Sequence, residues 1–487
     1  MRKTIDLTGL VRQSVFAFLL FTFAFSVVLA QTEQPPAPSA PKAVKIPAVA
    51  ERKLPNGLTV AVVERKGVPI VTIQLLVKSG ASAESADKAG LADLTASMLT
   101  KGTKTRTATE IAEAIEFLGG SINSGAGWNS SFVSVTVTSD KVEQALAIMA
   151  DVMLNPKFDQ KELDLLKSQT LDGLTFSLKQ PSSLVNYVAS KYSFGEHPAG
   201  GTPDSVGKIT QADIVSFYTL RFKPKHSVLI FTGDITPEGA ALAAGKAFGS
   251  WRTGVSIDTS MVGQADRPTK ADILVIDLPK SGQASVTYAK SLTNVGRKDG
   301  SYYSASVLNS VLGGGYSSRL NYEIRIKRGL SYGAGSSFAW RGSNSNFATR
   351  IQTKTVSAAE VLELVLAEIK KLADGSVAAD ELVPRKSVLT GNFGRNLETT
   401  GGLAGAIGDL YAFGIPSAEL NSYVSNVNGV SGTQIKDFAK QNLMGGDIII
   451  VGDYLDFKDD LAKRFPNLKV DVIKASDLDL SKDNLRK

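Results

Sequence analysis

AGLADLTASMLTKGT, residues Ala89 to Thr103, is the stretch from which the rest of the chain can be organised. Leu91, Leu94, Met98 and Leu99 recur at i, i+3, i+7 and i+8, the spacing of one apolar face on an amphipathic helix. Asp93, Ala96 and Ser97 share another face of that helix, so the pattern on it reads D-x-x-A-S. A helix of this kind, set among short apolar runs, predicts a mixed α+β fold.

Upstream, Leu54-Pro55-Asn56-Gly57-Leu58 is a turn that launches a strand over Thr59 to Glu64. A second apolar run, Ile70 to Val77, follows across Lys66-Gly67, which together signal a hairpin. Downstream, the periodicity predicts a helix over Thr109 to Leu118, then after Gly119-Gly120 a strand pair ending in the alternating Phe132, Val133, Val135 and Val137. Helices are predicted over Lys141 to Met153 and Asp159 to Leu178. A further helix containing Asp213 to Tyr218 precedes a strand over Ser227 to Thr232.

The pattern then repeats. Val228-Leu-Ile-Phe-Thr-Gly233-Asp234 is echoed by Ile448-Ile-Ile-Val-Gly452-Asp453. The helix ahead of each strand also recurs, with Ile214 and Phe217 matched by Ile435 and Phe438. Asp272 to Asp277 corresponds to the strand at Leu58 to Glu64. Two similar α+β units are therefore predicted, joined near Ser256 to Lys270.

A chain of 487 residues exceeds what one core usually organises, which fits two units. Residues 1–30 read as an export signal: Arg2, Lys3 and Arg12 against Asp6, the apolar run Val15 to Leu29, and small residues at Val28-Leu29-Ala30 before Gln31. The expected location is therefore outside the cytoplasm, the periplasm first, with no membrane association after cleavage; an uncleaved membrane anchor is the alternative. Pro35, Pro36, Pro38, Pro41 and Pro47 make residues 31–50 an extended linker. The absence of cysteine excludes disulfides, thiolate metal sites, cysteine nucleophiles and a lipoprotein anchor. The net charge of +7 comes without a dense basic patch interleaved with aromatics, so no nucleic-acid partner is expected.

The offsets of Asp93, Ala96 and Ser97 are those at which an H-x-x-E-H helix places two imidazoles and the glutamate that activates a zinc-bound water. With Gly90-Leu91-Ala92 before and Met98-Leu99 and Lys101-Gly102-Thr103 after, the segment resembles the M16 metallopeptidase family of pitrilysin, insulysin and the mitochondrial processing peptidases. The resemblance covers nearly the whole chain beyond the linker. It implies two homologous α/β-roll domains, each an antiparallel-rich sheet with helices packed on one side, together forming half of a clamshell. Their expected spans are residues 51–255 and 271–475, with a linker at 256–270 and a polar tail at 476–487.

The family's third ligand, a glutamate on the long following helix, would fall at Gly173, beside Asp172. With Asp93, Ala96, Ser97 and Gly173 in the ligand positions, no metal is expected on this chain. The two histidines do not rescue the site: His197, in the landmark-like Glu196-His197-Pro198, and His226 lack another histidine or glutamate at zinc spacing. They also leave Ser97 and Ser331 without a visible triad partner.

Further along, Arg319-Leu320 through Glu323-Ile324-Arg325 to Gly329-Leu330-Ser331-Tyr332 resembles the segment from which family members extend an arginine and a tyrosine toward the zinc chamber. Arg325 and Tyr332 have the family's separation, although Arg319 and Arg328 offer the same residue type nearby. The sequence predicts a helix over Tyr322 to Lys327 ended by Gly329, and a strand beginning at Ser331-Tyr332-Gly333. The glycines of Leu312 to Ser318 are not followed by GK[ST], which excludes a phosphate loop. Gly120, Ser121, Ile122 and Asn123 correspond to the strand on which the family holds peptide by β-addition.

The resemblance thus implies the zinc-less subunit of a heterodimeric metallopeptidase, inactive alone, whose Arg325 and Tyr332 contact peptide substrate and transition state beside a homologous partner carrying H-x-x-E-H and the zinc. The alternative is a catalytically inert peptide-binding or scaffolding homologue.

Overall fold

The structure, a computed structural model, describes residues 46, 48–254, 270 and 272–487. The expected export signal, most of the proline-rich linker and nearly all of the expected inter-domain linker lie outside the described residues.

Among the described residues, twelve strands form two six-stranded sheets. The first contains β1 (Ala50–Lys53), β2 (Thr59–Glu64), β3 (Ile70–Val77), β4 (Ser121–Ala126), β5 (Ser131–Thr138) and β6 (Ser227–Gly233), in the order β1-β2-β6-β3-β5-β4. The second contains β7 (Ile273–Asp277), β8 (Gln283–Leu292), β9 (Ala334–Trp340), β10 (Ser345–Lys354), β11 (Asp447–Gly452) and β12 (Val470–Lys474), in the order β12-β7-β11-β8-β10-β9. The repeat read in the sequence is therefore a repeat of topology. The edge next to β2 and β7 breaks it: β1 runs antiparallel to β2, whereas β12 arrives from the other end of the chain and runs parallel to β7.

The expected β2–β3 hairpin is corrected by the sheet order. β6 lies between the two strands, parallel to β2 and antiparallel to β3. All seven residues of β6 are buried, as are all six of β11. Strands covered on both faces read as unbroken apolar runs, and such a run belongs at the centre of a sheet. Burying it there outweighs the local turn signal at Lys66-Gly67.

Gly233, which ends β6, has φ of +133°, and a Cβ there would lie 2.0 Å from the Ile70 carbonyl oxygen. Only glycine lets β3 pass that close, which explains why the central strand ends in glycine.

Each half packs its own helices on one face of its sheet. On the first sheet that face presents Val60, Val62, Ile73, Leu75, Val135 and Phe231 to the helices Leu91–Met98, Ala108–Phe117 and Val142–Leu154. The other face is covered by a helix from the opposite half. Leu403, Ala404, Ile407 and Leu410 of the helix Thr400–Phe413 pack on Ala61, Val63, Leu76, Val228 and Ile230. Reciprocally, Leu184, Val185, Val188 and Ala189 of the helix Pro181–Tyr192 pack on Leu274, Ile276, Ala289, Ile449 and Val451. Gly408 sets the close approach on the first sheet, since a Cβ there would meet Leu76 Cδ1 at 3.2 Å.

Both ends of the described chain join these crossed layers. Ile46 and Val49, from the segment read as linker, pack on the first cluster, and Ala50 already belongs to β1. The segment read as a polar tail turns back through a Leu478–Arg486 bridge and buries Leu485 completely. Leucines spaced among Asp and Lys residues left no periodic signal for this in the sequence.

Candidate functional site

The helix Leu91–Met98 begins at Gly90, whose φ of +94° only glycine adopts readily. Its first turn is held by Glu84, whose carboxylate accepts the Gly90 N–H at 2.8 Å and the Ala92 N–H at 2.6 Å. His197 Nε2 lies 3.2 Å from the same carboxylate and 3.1 Å from the Ala81 carbonyl oxygen. Burial raises the Glu84 carboxyl above its ordinary range, with His197 and the two N–H groups pulling it back down. His197 thus positions the helix start.

Its neighbour Glu196, only 4% exposed, accepts two 2.6 Å hydrogen bonds from Arg341 in the β9–β10 turn. Arg341 also lies 4.6 Å over the Trp128 ring. Glu196-His197-Pro198 is therefore a joint between the halves. Glu84 and Arg341 were not singled out in the sequence because the contacts that join them to His197 and Glu196 span long chain separations.

On the face where zinc ligands would sit, Ala96 is fully buried and offers no donor, and Ser97 is partly exposed. Asp93 Oδ1 accepts the Ala126 N–H from β4 at 3.5 Å. Gly173 lies exposed on the helix Gln160–Ser177, and a Cβ there would meet nothing within 4 Å. A zinc site needs three or four convergent ligands. Among the described residues no three His, Cys, Asp or Glu side chains converge in that way. The residues present do not fit zinc.

Asp93 titrates accordingly. Loss of water raises its carboxyl, and the Ala126 N–H offsets part of the rise. A raised carboxyl contributes fully to stability below its ordinary value, and that contribution disappears as pH rises through the raised value. At neutral pH the ion is therefore held at a cost. Asp93→Asn is expected to raise the melting temperature at neutral pH, with the gain shrinking toward about pH 4. Melting curves at both pH values check this; a gain independent of pH would remove ionisation as the cause.

β4 forms one end of the first sheet. Gly120 precedes it so closely packed that a Cβ would lie 2.5 Å from the Thr136 carbonyl oxygen. Ile122 turns toward the core, while Ser121 and Asn123 are exposed. An end strand of this kind presents backbone groups that an extended peptide can pair with.

In the second half, Asn321–Ile326 forms a π-helical turn rather than the expected α-helix, and the next strand starts at Ala334, beyond Tyr332. Gly329, with φ of +63°, closes the turn: its N–H donates to the Arg325 carbonyl and the Leu330 N–H to that of Ile324. Tyr332 stands on the connection to β9 and is 94% exposed. Ser331 braces that connection by donating to the Gln352 carbonyl at 2.6 Å.

The three arginines of this segment separate by their partners. Arg319 makes two hydrogen bonds to Glu381, at 2.8 and 2.6 Å, which raise its pKa. Arg328 binds Glu323 at 2.5 Å, holding that carboxyl below its ordinary range. Arg325 has no carboxylate partner among the described residues, and its guanidinium lies 5.0 Å from the Tyr316 ring centre. No hydrogen bond, ion pair or ring contact links Arg325 or Tyr332 to Asp93, Ser97 or Gly173.

Comparison with known proteins agrees with this layout. The model for insulinase, peptidase family M16, matches residues 59–190, and the model for the peptidase M16 inactive domain matches residues 208–388. An uncharacterized zinc protease of Mycobacterium leprae is 28% identical over 357 residues, covering 72% of this chain and 79% of that protein. One of Rickettsia felis is 27% identical over 389 residues, covering 77% and 91%. The crystal structure of a peptidase M16 inactive domain from Pseudomonas fluorescens superposes with a TM-score of 0.77 at 25% identity, over 83% of this chain and 98% of that one. A Helicobacter pylori protease shares the fold, with a TM-score of 0.78 at 19% identity over 84% and 100%. Two models of one family fall in succession on a chain built as a doubled sheet: the chain belongs to peptidase family M16.

Proposed function

We propose that this chain is the zinc-less subunit of a two-subunit M16-type peptidase, supplying Arg325 and Tyr332 to a homologous subunit that carries H-x-x-E-H. The observation that supports this most is the division among the arginines. Arg319 and Arg328 are spent on carboxylates, while among the described residues Arg325 and the exposed Tyr332 have no carboxylate or hydrogen-bonding side chain engaged. A guanidinium can hold a peptide carbonyl or carboxylate, and a phenol can donate to the oxyanion of a tetrahedral intermediate. Zinc on the partner would supply the activated water. The open end strand β4, with Gly120, Ser121, Ile122 and Asn123 at its start, suits peptide held by backbone pairing, a mode that tolerates many sequences. The relatives named zinc proteases support a place in peptide hydrolysis.

The test is copurification with an H-x-x-E-H homologue followed by peptide cleavage. Cleavage is expected from the complex only, with zinc in the partner. Isolated chain that holds stoichiometric zinc and cuts peptides would sink the reading. The open β4 edge also favours a second reading, an inert peptide-binding or scaffolding homologue. That reading predicts peptide binding untouched by Tyr332→Phe and no gain of cleavage in any complex.

A further inference from the structure

A cavity of about 530 Å³ lies in the second half, and neither Arg325 nor Tyr332 lines it. Its walls come from the helices Ala379–Glu398, Thr400–Phe413 and Glu419–Gly429, from Tyr302 and from the end of β9. Five aromatic residues line it: Tyr302, Trp340, Phe393, Phe413 and Tyr423, all partly exposed. Phe393 and Tyr423 stack at 4.1 Å, and Tyr302 and Trp340 approach to 4.8 Å. The aromatic surface is thus held open by ring-on-ring contacts.

The charges in this cavity do not balance. Glu419 is committed twice, accepting from Arg297 at 2.7 Å and from the Tyr303 hydroxyl at 2.8 Å. Arg297 is committed in turn, turned to Glu419 and lying 3.7 Å over the Tyr302 ring. Asp409 completes the set with no hydrogen bond or ion pair among the described residues, and Arg297 reaches it only through space. Asp409 is exposed and lines the cavity, so its carboxylate is open there to a donor that the protein does not supply. One carboxylate stands over, and aromatic faces are what an organic cation seeks after a carboxylate.

We infer that this cavity binds an organic cation of the guanidinium or alkylammonium class, its charge on Asp409 and its carbon skeleton against Trp340, Phe393 and Tyr423. The volume suits one arginine-sized group rather than a folded partner. The ligand is either a basic side chain of a peptide or a free amine. The site needs neither the partner subunit nor Tyr332, so it stands or falls separately from the peptidase proposal.

Calorimetric titration of the full chain with agmatine, N-acetylarginine amide and N-acetylcitrulline amide tests this. The two cations are expected to bind saturably and to change the fluorescence of Trp340, and the uncharged citrulline derivative is expected to bind at least about tenfold more weakly. Asp409→Asn, checked by its melting curve, should lower cation affinity by about tenfold or more. Trp340→Phe should abolish the fluorescence change and weaken calorimetric binding, because Trp340 is one of the rings the carbon skeleton packs on. Tighter binding of the arginine amide than of agmatine identifies a peptide side chain as the source; the reverse identifies a free amine. Equal affinity for arginine and citrulline derivatives, or wild-type affinity in Asp409→Asn, overturns the inference.

Discussion

Tyr332→Phe in a verified complex with an H-x-x-E-H subunit is expected to lower kcat by about 10²- to 10³-fold while leaving folding and assembly unchanged. The magnitude is that of removing one preorganised donor aimed at a developing oxyanion, and it depends on the phenol being free to point outward. Tyr332 is 94% exposed, and its hydroxyl holds no partner among the described residues, so deleting that oxygen disturbs no packing. The backbone that carries it is fixed before Tyr332 by Gly329 in the left-handed region and by Ser331 on Gln352, and after it by the Gly333 N–H donating to Ser331 Oγ. A donor that is mobile at its tip and anchored at its root meets the demand for preorganisation. Arg325→Ala should act differently, raising KM as well as lowering kcat, because a guanidinium also contacts the ground-state peptide. Single-turnover and steady-state cleavage of an unfolded peptide separate the two effects. Unchanged kcat in Tyr332→Phe would remove the catalytic role and leave the peptide-binding reading.

How much of this was legible in the sequence follows from the range over which each signal acts. β2 and β3 matched their expected spans because the apolar run and its flanking turns are local. Their pairing was misread because the strand that separates them, β6, lies far downstream, and only its unbroken apolar character hinted at a central position. The doubled topology was visible because Gly233-Asp234 and Gly452-Asp453 end equivalent central strands. Arg325 could be placed by spacing but not distinguished from Arg319 and Arg328: Arg319 pairs with Glu381 on a helix well downstream, and the pairing of Arg328 with nearby Glu323 depends on how the π-helical turn winds. Glu84 and Arg341 had no periodic context, so their pairing with His197 and Glu196 emerges only when the chain closes. The buried Leu485 was hidden for the same reason: burial of an isolated leucine is decided by the surface it meets.

The crossed helices carry the second large effect. Ile407→Ala is expected to destabilise the whole chain by about 2–5 kcal/mol, the cost of lost transfer energy plus an unfilled cavity. Ile407 is fully buried between its own helix and the opposite half's sheet, among Leu76, Val228 and Ile230. Val383→Ala, 61% exposed on the neighbouring helix, should stay within about 0.5 kcal/mol and serves as the control. The distribution of the effect matters more than its size. If each half were a self-sufficient domain, a cavity under a second-half helix would loosen only local structure. Here the same helix seals the face of β2, β3 and β6 that carries Ala61, Val63, Leu76 and Ile230, and the helix Pro181–Tyr192 seals the second sheet in exchange. Neither sheet can shed its cover without exposing an apolar face, so the halves should unfold together. Urea unfolding followed at Trp128 and Trp251 in the first half and at Trp340 in the second should give coincident transitions, shifted to lower urea as one in Ile407→Ala. Separate transitions for the two probe sets would show the exchange to be a contact without energetic consequence. A single transition makes it the device that keeps β4 and the Arg325–Tyr332 turn at a fixed spacing on one body, as the proposed two-subunit peptidase requires.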